Sequence, residues 1–141
     1  MGEKIDFGFK KVNKDEKESL VGQVFSNVAE KYDLMNDLMS VGTHRLWKKK
    51  MVQEINFSNN KSYTIIDVAG GTGDIAFKIS NKADKENINA KIEIVDINQE
   101  MLDVGKKRAI DSNYFNQVNF NRCSGESLDY KDNFFDFYTI A

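Results

Sequence analysis

Glycines and acids are interleaved in Asp67-Val68-Ala69-Gly70-Gly71-Thr72-Gly73-Asp74, directly after the apolar, β-branched run Thr64-Ile65-Ile66. Glycines permit positive φ and leave no Cβ between backbone and ligand. With a helix-like pattern following, the stretch reads as strand, tight loop and helix, the opening of a nucleotide- or cofactor-binding α/β domain. Backbone N–H groups at the helix start, beyond Gly73, are then offered to a ligand. A further acid, Asp96, closes a second apolar run about twenty residues beyond the loop. At that spacing such folds place a carboxylate for a ribose diol, each oxygen accepting one hydroxyl hydrogen bond.

Two ligand classes compete for the loop. Gly71-Thr72-Gly73-Asp74-Ile75-Ala76 fits the dinucleotide spacing G-x-G-x-x-A. Read from Asp67, the same residues fit the methyltransferase pattern D-x-G-x-G-x-G, with Ala69 replacing its first glycine. A pyrophosphate wants the positive helix end undiluted. Asp67 and Asp74 would repel it, and would favour S-adenosylmethionine, with its sulfonium and ammonium groups. Thr72 offers a hydroxyl and a backbone N–H to either cofactor. Ser124-Gly125 follows the third strand at its carboxyl end, where ligands lie in open α/β sheets. It reads equally as an adenine contact or as a plain turn.

Composition narrows the function classes. The 141 residues suggest one domain, and a net charge of −2 gives no basic excess for nucleic acid. Arg45-Leu46-Trp47-Lys48-Lys49-Lys50 reads as a solvated helix face, ahead of a membrane-surface contact. One cysteine, Cys123, and one histidine, His44, supply neither a disulfide framework nor a metal centre. Cys123 reads as a small packing residue. No apolar run approaches the roughly 18 residues of a membrane span.

The elements that position these groups follow from periodicity. Residues 1–15 read as polar and loose. Helices are expected over 16–31, with Leu20, Val21, Val24, Phe25, Val28 and Ala29 as an apolar stripe, over Tyr32 to Ser40, and from a Thr43 cap to Ile55. In the last, Trp47, Met51 and Ile55 would share the inner face. Strands are expected at Tyr63–Val68, Lys91–Ile97, Val118–Cys123 and Phe135–Ala141. Helices follow the first two, the second capped by Asn98. The order implies a parallel, doubly wound α/β sheet, 61–141, preceded by a helical cap, 1–60.

The helical segment carries a second pattern. Tyr32-Asp33-x-Met35-Asn36-x-x-Met39-Ser40-x-x-x-His44-x-x-Trp47 resembles, at every fixed position, the N-terminal signature of the UbiE-type ubiquinone/menaquinone biosynthesis C-methyltransferases. The glycine loop, Asp96-Ile97-Asn98 through Met101-Leu102, and Phe7-Gly8-Phe9 are similar to that family too, so the resemblance covers nearly the whole chain.

The resemblance implies a Rossmann-like class I S-adenosylmethionine-dependent fold and methylation of a ring carbon of a polyprenyl quinol. It carries cofactor contacts onto Asp67, Gly71, Thr72, Gly73, Asp96, Ser124, Gly125 and Ala141. Ser124 stands where the family usually has Asp or Asn. Tyr32, Asp33, Asn36 and His44 are candidates for the substrate side, and no residue is assigned as catalytic base. The family's next loop, with a Phe-Gly-x-Arg-Asn stretch, would follow Ala141, so an N-terminal fragment truncated after its fourth strand is expected. Alone, such a fragment is expected to be inactive and to self-associate through its last strand. Asp67-Val68-Ala69 and Tyr138-Thr139-Ile140-Ala141 look like the mitochondrial branch. That implies the matrix side of the inner membrane, peripheral membrane association and a ubiquinone-biosynthesis complex; bacterial cytoplasm is the alternative. Two other functions stay open: another small-molecule methyltransferase, and a non-catalytic cofactor-binding subunit.

Overall fold

The computed structural model describes residues 4–7, 10–28, 31, 38–39, 42–58 and 61–141. The chain opens with an antiparallel hairpin, β1 (Lys4–Phe7) and β2 (Lys10–Asn13), in register Lys4↔Asn13 to Phe7↔Lys10. This corrects the expectation of a loose start. Helix α1 (Lys14–Val28) follows directly, and α2 (Thr43–Gln53) comes after a segment in which only Lys31, Leu38, Met39 and Gly42 are described.

From there the chain alternates: β3 (Ser62–Val68), α3 (Asp74–Lys85), β4 (Asn89–Asp96), α4 (Gln99–Asp111), β5 (Val118–Arg122) and β6 (Phe137–Ile140). The four strands form one sheet in the order β5-β4-β3-β6, all neighbours parallel. The chain moves outward from β3 to β5 and then returns to the far side of β3. That reversal leaves a crevice beyond the carboxyl ends of β3 and β6, where open α/β sheets bind ligands.

Alternation along β3 explains both layers. Tyr63 and Ile65 point to the face covered by α3 and α4, where they pack with Ile75, Ile79, Ile92, Ile94 and Leu102. Ile66 and Val68 point to the other face, with Val95, against Cys123, Leu128, Tyr130 and Phe135 of the long β5–β6 connection. Both faces are covered, which is why the strand reads as a continuous apolar run. Cys123 packs there as expected from its small size.

Helix α2 joins the first core through Val52 and Ile55. Its buried face is His44, Lys48 and Val52, while Trp47 is 46 % exposed and Leu46 70 %. Of the expected face, Ile55 is buried and Met51 packs against the core, while Trp47 turns outward. Gly42, at φ 75, occupies the cap position, and Thr43 is the first residue of the helix. On α1, Leu20 and Val21 are half-buried, whereas Val24 of the expected stripe is exposed.

Candidate functional site

The crevice is a cavity of about 900 Å³ whose wall includes Asp67, Gly71, Thr72, Asp74, Asp96 and Ala141. The loop from β3 to α3 forms its floor. Gly70 N–H donates to Val95 O at 3.1 Å and Gly73 N–H to Gly70 O at 2.8 Å, folding the loop back over the strand ends. A Cβ on Gly70 would lie 2.8 Å from Asp67 Oδ2, so only glycine lets the loop sit on that carboxylate.

Asp96 ends β4 and braces the site. Its Oδ2 accepts from Gly71 N–H at 2.9 Å and its Oδ1 from Asn98 N–H at 2.8 Å. Asn98 in turn caps α4, its Oδ1 accepting from Met101 N–H at 3.0 Å, as expected. Its amide also donates to Gly22 O and Ser26 Oγ of α1, each at 3.2 Å. One short segment thus joins the sheet, the glycine loop, α4 and α1.

Asp67 lies beneath the loop, 1 % exposed. Thr139 of β6 donates its hydroxyl to Oδ1 at 2.7 Å; Oδ2 is buried and has no hydrogen-bond partner among the described residues. Burial pushes this carboxyl up to about 6, the Thr139 bond and Lys48 pull against that, and Asp74 and Asp96 add to it. A buried acceptor without a donor is costly, and it marks a place where a donor belongs.

Asp74 differs from expectation. It makes no capping bond to α3. Lys78 donates to its Oδ1 at 2.5 Å and Lys48 to its Oδ2 at 3.0 Å. Burial pushes the Asp74 carboxyl up, yet the hydrogen bonds from Lys78 and Lys48, with the attraction of both ammonium groups, hold it below its ordinary value. Its negative charge is therefore screened, and the electrostatic argument against a pyrophosphate rests on Asp67 and Asp96. Lys48 is itself 8 % exposed and is the exception in a basic run whose Arg45, Lys49 and Lys50 are solvated as expected.

Thr72 lines the cavity, but its hydroxyl accepts from Arg108 Nη1 at 2.9 Å on the α4 side. That bond leaves the hydroxyl its own hydrogen and a second lone pair. Ser124 and Gly125 are not in the cavity wall. They form a turn in which Ser127 N–H donates to Ser124 O at 3.1 Å, and a Cβ on Gly125 would lie 2.8 Å from Val68 Cγ1. Packing against β3 explains that glycine. The wall near Asp96 comes from Ile97, Met101 and Arg122, which sequence reasoning passed over. Arg122 Nε donates to Ile97 O at 3.1 Å, so the two side chains are held as a unit.

His44 is buried on α2, one turn ahead of Lys48, and is not in the cavity wall. Tyr32, Asp33 and Asn36 lie outside the described residues. Among the described residues, no group of three or more His, Cys, Asp and Glu could hold a metal ion.

Comparison with known proteins places this geometry. A model of the ubiE/COQ5 methyltransferase family matches residues 10–141. The chain belongs to the ubiE/COQ5 methyltransferase family. It is 53 % identical over 137 residues to proteins named "Ubiquinone/menaquinone biosynthesis C-methyltransferase UbiE" from Rickettsia bellii and from Rickettsia akari, covering 96 % and 97 % of this chain and 54 % of each relative. The chain thus spans about half the length of the curated relatives it matches. Among solved structures, the cyclase SpnF superposes with a TM-score of 0.62 at 20 % identity, over 84 % of this chain and 46 % of SpnF. At that identity the likeness speaks for the Rossmann-like α/β fold alone. Within the family the glycine loop of this chain carries Ala69 at φ 55, a left-handed conformation that suits the glycine of the general pattern.

Proposed function

We propose that this chain binds S-adenosylmethionine and forms the cofactor-binding half of a C-methyltransferase acting on a polyprenyl benzoquinol in ubiquinone biosynthesis. The observation that carries the reading is Asp67, a buried carboxylate in the cavity wall with one oxygen awaiting a donor. A pyrophosphate would set negative charge against it and against Asp96. A cationic cofactor satisfies it. Family membership and the names of the Rickettsia relatives support the same reaction class.

The residues fit the group. Each oxygen of Asp96 accepts one backbone N–H and keeps capacity for a ribose hydroxyl. Ile97 and Met101 give the base an apolar flank. Asp67 holds a compensating negative charge near the sulfonium. When bound, S-adenosylmethionine supplies an electrophilic methyl group. The chain's part is to orient that methyl for in-line attack by an electron-rich ring carbon, the proximity term that dominates such transfers. Tyr32, Asp33, Asn36 and His44 remain proposed substrate-side residues, and no side chain is assigned as base. Residues 1–60 would act as a cap over the cofactor-binding half, 61–141.

Compartment and partners belong to this proposal as well. The Rickettsia relatives fit the bacterial cytoplasm, and the mitochondrial reading finds no support in them. No helix among the described residues is long and apolar enough to cross a membrane. A polyprenyl tail would bring the protein to a bilayer surface, with or without a biosynthetic complex.

Calorimetric titration tests the core of the reading. S-adenosylmethionine and S-adenosylhomocysteine should bind and NAD should not; tighter binding of NAD would sink it. Methyl transfer by residues 1–141 to a short-chain quinol at the full-length rate would overturn the further expectation that this half cannot turn over alone.

A further inference from the structure

Lys48 enters the cavity wall from α2, outside the sheet that supplies most of the site. Its Nζ sits 3.0 Å from Asp74 Oδ2. Asp74 does not depend on it, because Lys78, one turn along α3, already donates to the other oxygen. Two ammonium groups share the Asp74 carboxylate, so Asp74 cannot neutralise both. Lys78 lies on the far side, in a separate groove of about 530 Å³ to which Asp74 also contributes. Lys48 lies on the cavity side. An ammonium has three donors, and Asp74 takes one of those on Lys48. Half-compensated charge at 8 % exposure is costly unless an anion completes its shell.

Across the same wall stands the opposite requirement, the unpartnered Oδ2 of Asp67. A zwitterion satisfies both, its carboxylate on Lys48 and its ammonium toward Asp67. The amino-acid arm of S-adenosylmethionine is such a zwitterion, and Asp96, at the other end of the glycine loop, is left for the ribose. We propose that Lys48 binds the carboxylate of the cofactor's methionine arm and thereby clamps α2 onto the glycine loop. This rests on the S-adenosylmethionine reading above. It makes the helix preceding the sheet part of the cofactor site, with Asp74 as the positioning residue that aims Lys48.

The competing account makes Lys48 a simple bolt between α2 and α3. Titration of the chain with S-adenosylhomocysteine and with methylthioadenosine, which lacks the amino-acid arm, separates the two. Lys48→Met should weaken S-adenosylhomocysteine binding roughly ten- to hundredfold and leave methylthioadenosine within about twofold. Equal loss for both ligands, or unchanged affinity for S-adenosylhomocysteine, overturns the proposal. The unsubstituted chain gives an independent arm that does not depend on the variant folding: it should prefer S-adenosylhomocysteine over methylthioadenosine at least about tenfold. Equal affinity for the two overturns the Lys48 assignment alone. Failure to bind either refutes the cofactor reading beneath it.

Discussion

Gly71 donates its backbone N–H to Asp96 Oδ2 at 2.9 Å, joining the glycine loop to the end of β4 across 25 residues of sequence. The acid expected to hold a ribose therefore also holds the loop that surrounds it. Its other oxygen accepts from Asn98 N–H, so removing the carboxylate frees two backbone donors at once.

Asp96→Ala should accordingly lower stability as well as affinity. Two charge-assisted bonds to a partly buried carboxylate are lost, each at a cost of about 1.5–3 kcal/mol in unfolding free energy. Cofactor binding should fall by a similar amount per ribose bond lost, a ceiling because water can substitute. Urea denaturation and calorimetry on the same variant measure the two effects. Full stability with weakened binding would mean the loop is held by other contacts.

Asp67 predicts a pH dependence whose sign can be worked out. Burial, opposed by the Thr139 bond and Lys48, raises this carboxyl from an ordinary 3.8 to about 6. Between those values the folded state holds a proton that the unfolded state has released. Folding stability contributed by this group is full below pH 4 and is lost as pH rises through 6, by on the order of 3 kcal/mol. Binding of a cationic cofactor runs the other way: it needs the ionised carboxylate and weakens as pH falls through 6. Asp67→Asn should flatten both profiles, read by thermal melts of the free chain and by titration between pH 5 and 8. A binding profile that keeps its inflection in the variant would assign the titration elsewhere.

Ala69 holds a left-handed φ of 55, which costs a side-chain-bearing residue about 1–2 kcal/mol. Glycine there would lose that strain and add about 0.5–1 kcal/mol of unfolded-state entropy. Ala69→Gly should therefore stabilise the chain by roughly 0.5–1 kcal/mol, within reach of careful urea melts. A loss of stability would show that the loop relaxes around alanine without strain.

The legible parts of this molecule are those encoded locally. A β-branched run, a glycine loop and an Asx cap announce β3, the turn and α4, because each depends on neighbours a few residues away. Asn98 caps α4 through Met101 N–H, three residues on. The same locality explains what stayed hidden. Lys48 sits in a run of three lysines, and its counter-ion, Asp74, lies 26 residues away on another helix. Nothing in the run distinguishes the buried lysine from its exposed neighbours Lys49 and Lys50. Thr72 likewise meets Arg108 across 36 residues of sequence. At Gly125 the close approach to Val68 explains the glycine, a contact between distant residues that spacing alone does not show. In the opening hairpin Lys4-Ile5-Asp6-Phe7 alternates polar and apolar residues, but strands of four residues give the pattern too little length to stand out.

The sheet's two edges differ, and the difference predicts assembly. β5 presents Asn119, Asn121 and Arg122, exposed polar side chains that discourage another strand. β6 is paired only on its β3 side, and its residues Phe137–Ile140 include no Lys or Pro. Tyr138 and Ile140, 58 % and 55 % exposed, lie on one face beside unpaired backbone groups. Such an edge recruits a second strand, by direct pairing or by exchange of an N-terminal element. Sedimentation of the chain over a concentration series should therefore show self-association. Phe137 is a poor site for a blocking charge, since its ring packs 5.4 Å from that of Tyr63 and 6.0 Å from that of Phe57. Tyr138→Lys places the charge on the exposed face instead. It should shift the population toward monomer by an order of magnitude or so in dissociation constant, with unchanged melting behaviour of the monomer. A wild-type chain that stays monomeric at high concentration would show that residues 4–58 shield the edge.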